Sequence, residues 1–317
     1  MAQSVTMSEQ EDLLRAYTCA GGDAAVLGDS STGHLAASGH SIVSMRGVPG
    51  LVVDARETAD GIFAAVTVKK DVRLAKPVHL CFGVLHAEGT QRIEMRVNIE
   101  EGASATFIAH CIFPNAVKVR HAMDAEVSVG DRAEMRYSET HYHGPHGGVE
   151  VIPVARVNVG AGGRYITDFT LTTGRVGKLS LDYTVTGGRD SVTELNARVF
   201  GHGQDDVRIR DAVLLNGRNA RGMIKTRVAI EDDARAEVTG ITEGNADGAR
   251  GHVDCMEIVK DRAVARAIPI VQVNNPGAKV THEAAIGSVD KRQMETLMAH
   301  GLSPQEAVDV IVKGILR

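Results

Sequence analysis

Turn-forming residues recur about every 14 to 16 positions through the C-terminal half of the chain, each time just before a short strand-like run. Gly188-Arg189-Asp190 precedes SVTEL, Gln204-Asp205-Asp206 precedes VRI, and Gly217-Arg218-Asn219 precedes ARGMI. Asp232-Asp233, Asp247-Gly248, Asp261-Arg262 and Pro276-Gly277 continue the series, and upstream Gly102, Gly130 and Gly160 recur at about twice the interval. Between the turns, residues alternate with a period of two, as in Val127/Val129, Ala133/Met135/Tyr137 and Val207/Ile209, which is strand periodicity. A hairpin meander or β-sandwich would place its turns every 8 to 12 residues or so. The longer, steadier spacing predicts a mainly β solenoid, a parallel β-helix with two strands per coil of about 29 residues, each coil closing the core of its neighbour. An antiparallel sandwich across residues 188–277 is the competing architecture.

The flanks differ. Residues 8–20 read as a short helix closed by Gly21-Gly22, and 28–50 as a loop leading to a first strand near Ser41–Met45. Near the C-terminus one helix is expected over about 290–300. A second opens on Ser303-Pro304-Gln305-Glu306, with Ser303 as N-cap, proline in the first turn and Glu306 closing a capping box. Val308, Ile311, Val312 and Ile315 fall on one face of it. The expected segments are therefore an N-terminal helix and loop (1–40), a β-helix core (41–287) and a C-terminal helical pair (288–317).

Composition narrows the function classes. A net charge of -5 and a pI of about 6.2 argue against a nucleic-acid or anionic-membrane surface. With no tryptophan and 3% aromatic residues there is no stacking platform for bases or sugars. No apolar run approaches the ~18 residues of a membrane span, and the N-terminus lacks the basic and apolar regions of a signal peptide. Cys19, Cys81, Cys111 and Cys255 form no CxxC pair, so they are expected as reduced thiols of a cytoplasmic protein. There is no GxxxxGK[ST] loop and no GxSxG elbow.

Two constellations carry metal chemistry. GHVDCMEIV (251–259) and NPGAKVTHEAAIG (275–287) place Cys255 and Glu283 about one coil apart, with His282 on the opposite strand face from Glu283. Glu139 and THYHGPH (140–146) put His141 and His143 on one strand face, a chelating pattern with no distant partner evident in the sequence. FIAHCIF (107–113) reads as a core strand with His110 and Cys111 on opposite faces.

GHVDC, AIPIVQVNNPGAKVTHEAAIG and the tail QMETLMAHGLSPQEAVDVIVKGIL together resemble the SufB/SufD family of iron–sulfur cluster assembly proteins, in a compact archaeal-type form. The match is specific over about residues 220–317 and looser from about 90. The resemblance implies a right-handed parallel β-helix flanked by helices, and an ABC-type ATPase partner, SufC, bound through the C-terminal helices. It also implies pairing as a homodimer or with a paralogue, and a transient iron–sulfur cluster near that junction. The family's His-Glu-Ala motif falls on His282-Glu283-Ala284, and its essential cysteine belongs one coil earlier, where Cys255 is the candidate. Counted back from Pro269, however, that cysteine falls on Asp254. Either a one-residue difference in the turn absorbs the slip, or Cys255 faces the other way.

The expectation is thus a non-enzymatic scaffold with cluster ligands Cys255, Glu283 and His282. His141 and His143 form a weaker metal candidate, and the Val308/Ile311/Val312/Ile315 face is the expected ATPase contact. A β-helix enzyme with a face-exposed metal or carboxylate site is the alternative, separable because an enzyme turns over alone.

Overall fold

The computed structural model describes residues 7–316. Its core is a parallel β-solenoid of about eight turns. One sheet stacks the strands His34–Ser38, Val78–Gly83, Ser104–Phe113, Glu134–His143, Arg164–Thr173, Val192–Gly201, Arg221–Ile230, Arg250–Val259 and Lys279–Ser288 in that order, all parallel. The other stacks Gly61–Val68, Glu88–Ile99, Lys118–Val129, Val149–Val159, Gly177–Gly187, Asp206–Leu215, Arg235–Gly244 and Val264–Val273. The chain alternates between the sheets, so neighbours within a sheet lie one coil apart: Thr226 pairs with Cys255, and Cys255 with Ala284. The N-terminal ends are turned by antiparallel strands, Ser41–Arg46 and Leu51–Glu57. The solenoid therefore begins at His34, inside the segment expected as loop, because His34–Ser38 pairs in parallel with Val78–Gly83.

The turn punctuation has a conformational cause. Gly102, Arg132, Gly162, Asp190, Asn219 and Gly248 all sit at positive φ, one per coil at the same corner, and Gly203, Asp232 and Asp261 repeat the device at the opposite corner. Glycine enters the left-handed region freely, and Asn and Asp tolerate it better than other side chains. Side chains reinforce the stacking: Asn245 donates to Asn216 (2.7 Å) and Asn274 to Asn245 (2.6 Å), forming a ladder at coil spacing. The alternate residues singled out above, Val127, Val129, Ala133, Met135, Tyr137, Val207 and Ile209, are all buried in one continuous core between the sheets.

Helix Met7–Cys19 lies on the outer face of the first sheet, with Leu13 and Tyr17 against Ala36, Cys81 and Ile112. At the other end, Lys291–Ala299 is capped by Asp290, and Pro304–Ile315 by the full Ser303/Glu306 capping box. Val308, Val312 and Leu316 pack on Ala229, Phe200 and Ile258, again on the outside of the first sheet. The face expected to meet the ATPase is thus largely covered by the chain itself. Val308, Ile311 and Val312 are buried, Val308 and Val312 against the chain's own solenoid, and Ile315 is half-buried; Val310 is the exposed apolar residue of that helix. The helical pair lies along the side of the solenoid, and the last coil stays uncovered. Val271, Val273 and Ile286, which the register turns inward, remain 36–52% exposed because no further coil covers them.

Candidate functional site at the open end

The strand Arg250–Val259 alternates strictly. Gly251, Val253, Cys255 and Glu257 face the interior, whereas His252 and Asp254 face outward. The next strand inherits this parity through its register: Val253 pairs with His282, Asp254 with Glu283, and Cys255 with Ala284. Cys255 and Glu283 therefore do not share a face. The expected pairing is off by one residue, and in a strand one residue moves a side chain to the opposite side. His282 is the member of the pair that shares the inward face with Cys255.

The outer face holds an ion pair. Arg227 Nη2 donates to Asp254 Oδ2 at 2.6 Å, and this hydrogen bond keeps the Asp254 carboxyl below its ordinary pKa. His252 Nδ1 lies 2.8 Å from the Thr281 hydroxyl. Glu283 is exposed beside this group.

The inner face holds a residue that the sequence did not flag. Glu257 is fully buried, and neither of its carboxylate oxygens has a hydrogen-bond partner among the described residues. Burial raises it to about 7, with Arg227 pulling the other way. Cys255, two residues back on the same face, is 2% exposed; burial, and then the Glu257 charge, push its thiol up to about 12. A buried carboxyl without a partner costs stability unless something else uses it. The period-two pattern alone could have placed Glu257 beside Cys255, but an acidic residue in a strand reads as outward until the register is known.

Asp211, on the inner face of the second sheet, behaves similarly. It is buried with Oδ1 unpartnered, and desolvation, then Asp182, lifts it to about 7 from an ordinary 3.8. The folded state keeps this proton where the unfolded chain has released it. Stability from this group is thus complete below about pH 4 and falls as pH rises toward 7. Asp211→Asn should stabilise the protein by about 2–4 kcal/mol at pH 7, with the gain shrinking toward pH 4. Urea unfolding at the two pH values measures this; an equal effect at both would contradict it.

The second constellation is also buried. His141 and His143 lie on the inner face of Glu134–His143, and the distant partner missing from the sequence is Cys111, from the strand one coil earlier. Cys111 Sγ donates to Glu139 Oε1 at 3.5 Å, His141 Nε2 lies 2.7 Å from the same oxygen, and His141 Nδ1 lies 3.1 Å from His143 Nε2. Burial by itself would raise Glu139, but the close contact with His141 and the nearby His121 outweigh it and hold the carboxyl low. His110 and Cys111 do face opposite ways: His110 stacks edge-on against Tyr17 outside. All four cysteines are free thiols.

Residues 85–315 match the family described as SUF system FeS cluster assembly, SufBD core domain. The chain belongs to the SufBD family. It is 39% identical to an iron-sulfur cluster assembly SufBD family protein of Methanocaldococcus jannaschii, covering 87% of each chain. It is 34% identical to one of Pyrococcus horikoshii, over 98% of this chain and 94% of the other. A longer SufBD protein of Archaeoglobus fulgidus is 28% identical across 76% of this chain and 64% of its own. A role in iron–sulfur cluster assembly follows for this SufBD protein. Among the described residues no helix is long and apolar enough to cross a membrane.

Proposed function

We propose that this SufBD chain is a non-enzymatic scaffold that holds a nascent iron–sulfur cluster at the open C-terminal end of its solenoid and works with an ABC-type ATPase of the SufC kind. The observation that carries this reading is the unpartnered Glu257 carboxylate beside the Cys255 thiol, one strand from the uncovered last coil. Iron in clusters is held by thiolate, with imidazole or carboxylate as substitutes. One thiol supplemented by Glu257 and the inward His282 is an incomplete set, suited to a cluster that must leave. Glu283, on the outer face, is available to a second chain.

A thiol with its pKa near 12 is protonated at neutral pH, and the thiolate is the ligand. Iron displaces that proton on binding, but Cys255 is 2% exposed, so loading requires the last coil to open. The tail helix gives a mechanical route, since it packs on Ile258, in the same strand as Cys255. An ATPase that pulls the tail biases the strand carrying the thiol and shifts the population toward an open end. The bare edge at that end, with Val271, Val273 and Ile286 exposed, suits two-fold pairing with a second copy or a paralogue.

The test is anaerobic reconstitution of the purified chain with ferrous iron and sulfide, with and without a co-produced ABC-type ATPase. Cluster absorbance on the chain, co-purification of the ATPase, and no substrate turnover by the chain alone are expected. A chain that takes up no cluster in either condition rules the reading out.

A further inference from the structure

We infer that Cys111, Glu139 and His141 form a buried site for a divalent transition ion of the zinc or ferrous type, separate from the open end. The inference goes beyond the scaffold reading and does not depend on it. Glu139 and Cys255 lie in one inward column, through Phe169, Ala197 and Thr226, four strand steps apart. At about 4.8 Å per step this is about 19 Å, too far for one metal centre.

The donor atoms of the three residues lie within 4.8 Å of one another, and all three side chains are buried. Bonds of about 2.0–2.3 Å from sulfur, nitrogen and oxygen to one tetrahedral ion span such a set after small side-chain shifts. Two further observations point to a cation. The first is that Glu139 Oε2 is buried with no hydrogen-bond partner. The second is hydrogen-bond accounting along the histidines. The Arg175 carbonyl can only accept, so His143 donates to it from Nδ1 (3.3 Å). In the neutral ring His143 Nε2 is then an acceptor, and His141 must donate to it from Nδ1 (3.1 Å). This turns the lone pair of a neutral His141 Nε2 toward Glu139 Oε1 at 2.7 Å, where the carboxylate oxygen also only accepts. Two acceptors at that separation require a cation, either a shared proton or a metal ion.

The donor set favours the metal. A thiolate and a carboxylate neutralise a divalent ion, so the loaded site adds no net charge to the core. His143 and the Arg175 carbonyl form the outer hydrogen-bonded chain that fixes the tautomer of a metal-bound imidazole. Loading releases two protons to solvent, from the Cys111 thiol and from the His141–Glu139 contact, and links the neighbouring strands Ser104–Phe113 and Glu134–His143. Because the site is enclosed, the ion enters as the coils close during folding.

Cobalt(II) is the probe, supplied in the growth medium to cells producing the full chain with Cys255→Ser, which removes the other candidate thiol. One cobalt per chain with thiolate-to-cobalt charge-transfer absorption is expected. Adding Cys111→Ser should remove that band, and Glu139→Gln, which preserves volume, should lower cobalt retention at least tenfold with an unchanged circular dichroism spectrum. Folded protein of the Cys255→Ser chain without cobalt would mean that only a proton is shared and would overturn the site. A band that survives Cys111→Ser, or full retention in Glu139→Gln, would overturn it too.

Discussion

Cys255→Ser should abolish most of the cluster absorbance that the reconstituted protein acquires, while Cys19→Ser and Cys81→Ser leave it intact. Cys81 lies under the N-terminal helix on the outer face, where burial pushes its thiol up to about 12, and Cys19 is exposed on that helix. Neither is near the open end. The neighbouring carboxylates separate two geometries. If the cluster is held inside, Glu257→Gln should weaken it strongly and Glu283→Gln little in an isolated chain. If it is held at a junction between chains, Glu283→Gln should act only where a second chain is present. Cluster binding that survives Cys255→Ser but is lost with Cys111→Ser would move the site to the middle of the solenoid and end the open-end proposal. Visible absorbance and iron content of each folded variant, prepared without oxygen, decide among these.

The tail helix carries the second large expected effect. Val312→Asp places a carboxylate at a position 3% exposed, against Ala229 and Ile258. It should cost on the order of 3 kcal/mol or more at that contact. The coils are held by their own ladders, so the expected result is a detached tail on an intact solenoid. It would be seen as rapid proteolysis after residue 288 with unchanged β-sheet circular dichroism. Val310, 47% exposed on the other face, is the contrasting position. Val310→Asp should alter stability by no more than about 0.5 kcal/mol. It should nevertheless weaken ATPase co-purification if the outward face is the docking surface. ATPase binding that tolerates Val310→Asp and fails only when the tail detaches would make the tail a structural strut that positions some other contact.

The architecture was legible because its cause is local. Each coil needs a left-handed corner, and only a few residue types enter it readily, so Gly102, Asp190, Asn219, Asp232, Gly248 and Asp261 mark the period in the sequence. The capping box at Ser303 was legible for the same reason, since its partners lie three residues apart. His34–Ser38 was not, because a strand of five residues beside glycine-rich turns is specified by its partner, Val78–Gly83.

The sites divide in the same way. The sequence by itself put forward candidate metal ligands, Cys255 and Glu283 about one coil apart with His282 beside them, and His141 and His143 two residues apart in the middle. It could not determine which share a face, because that depends on a register set across a turn about 29 residues away, where one residue reverses every side chain. Only the tertiary structure moved Glu283 to the outside with Asp254, brought Glu257 inside with Cys255, and joined Cys111 to Glu139 and His141. It also showed what the tail's apolar face packs against. Amphipathicity states that a helix has something to cover, and the fold supplied the chain's own sheet as the nearest apolar surface.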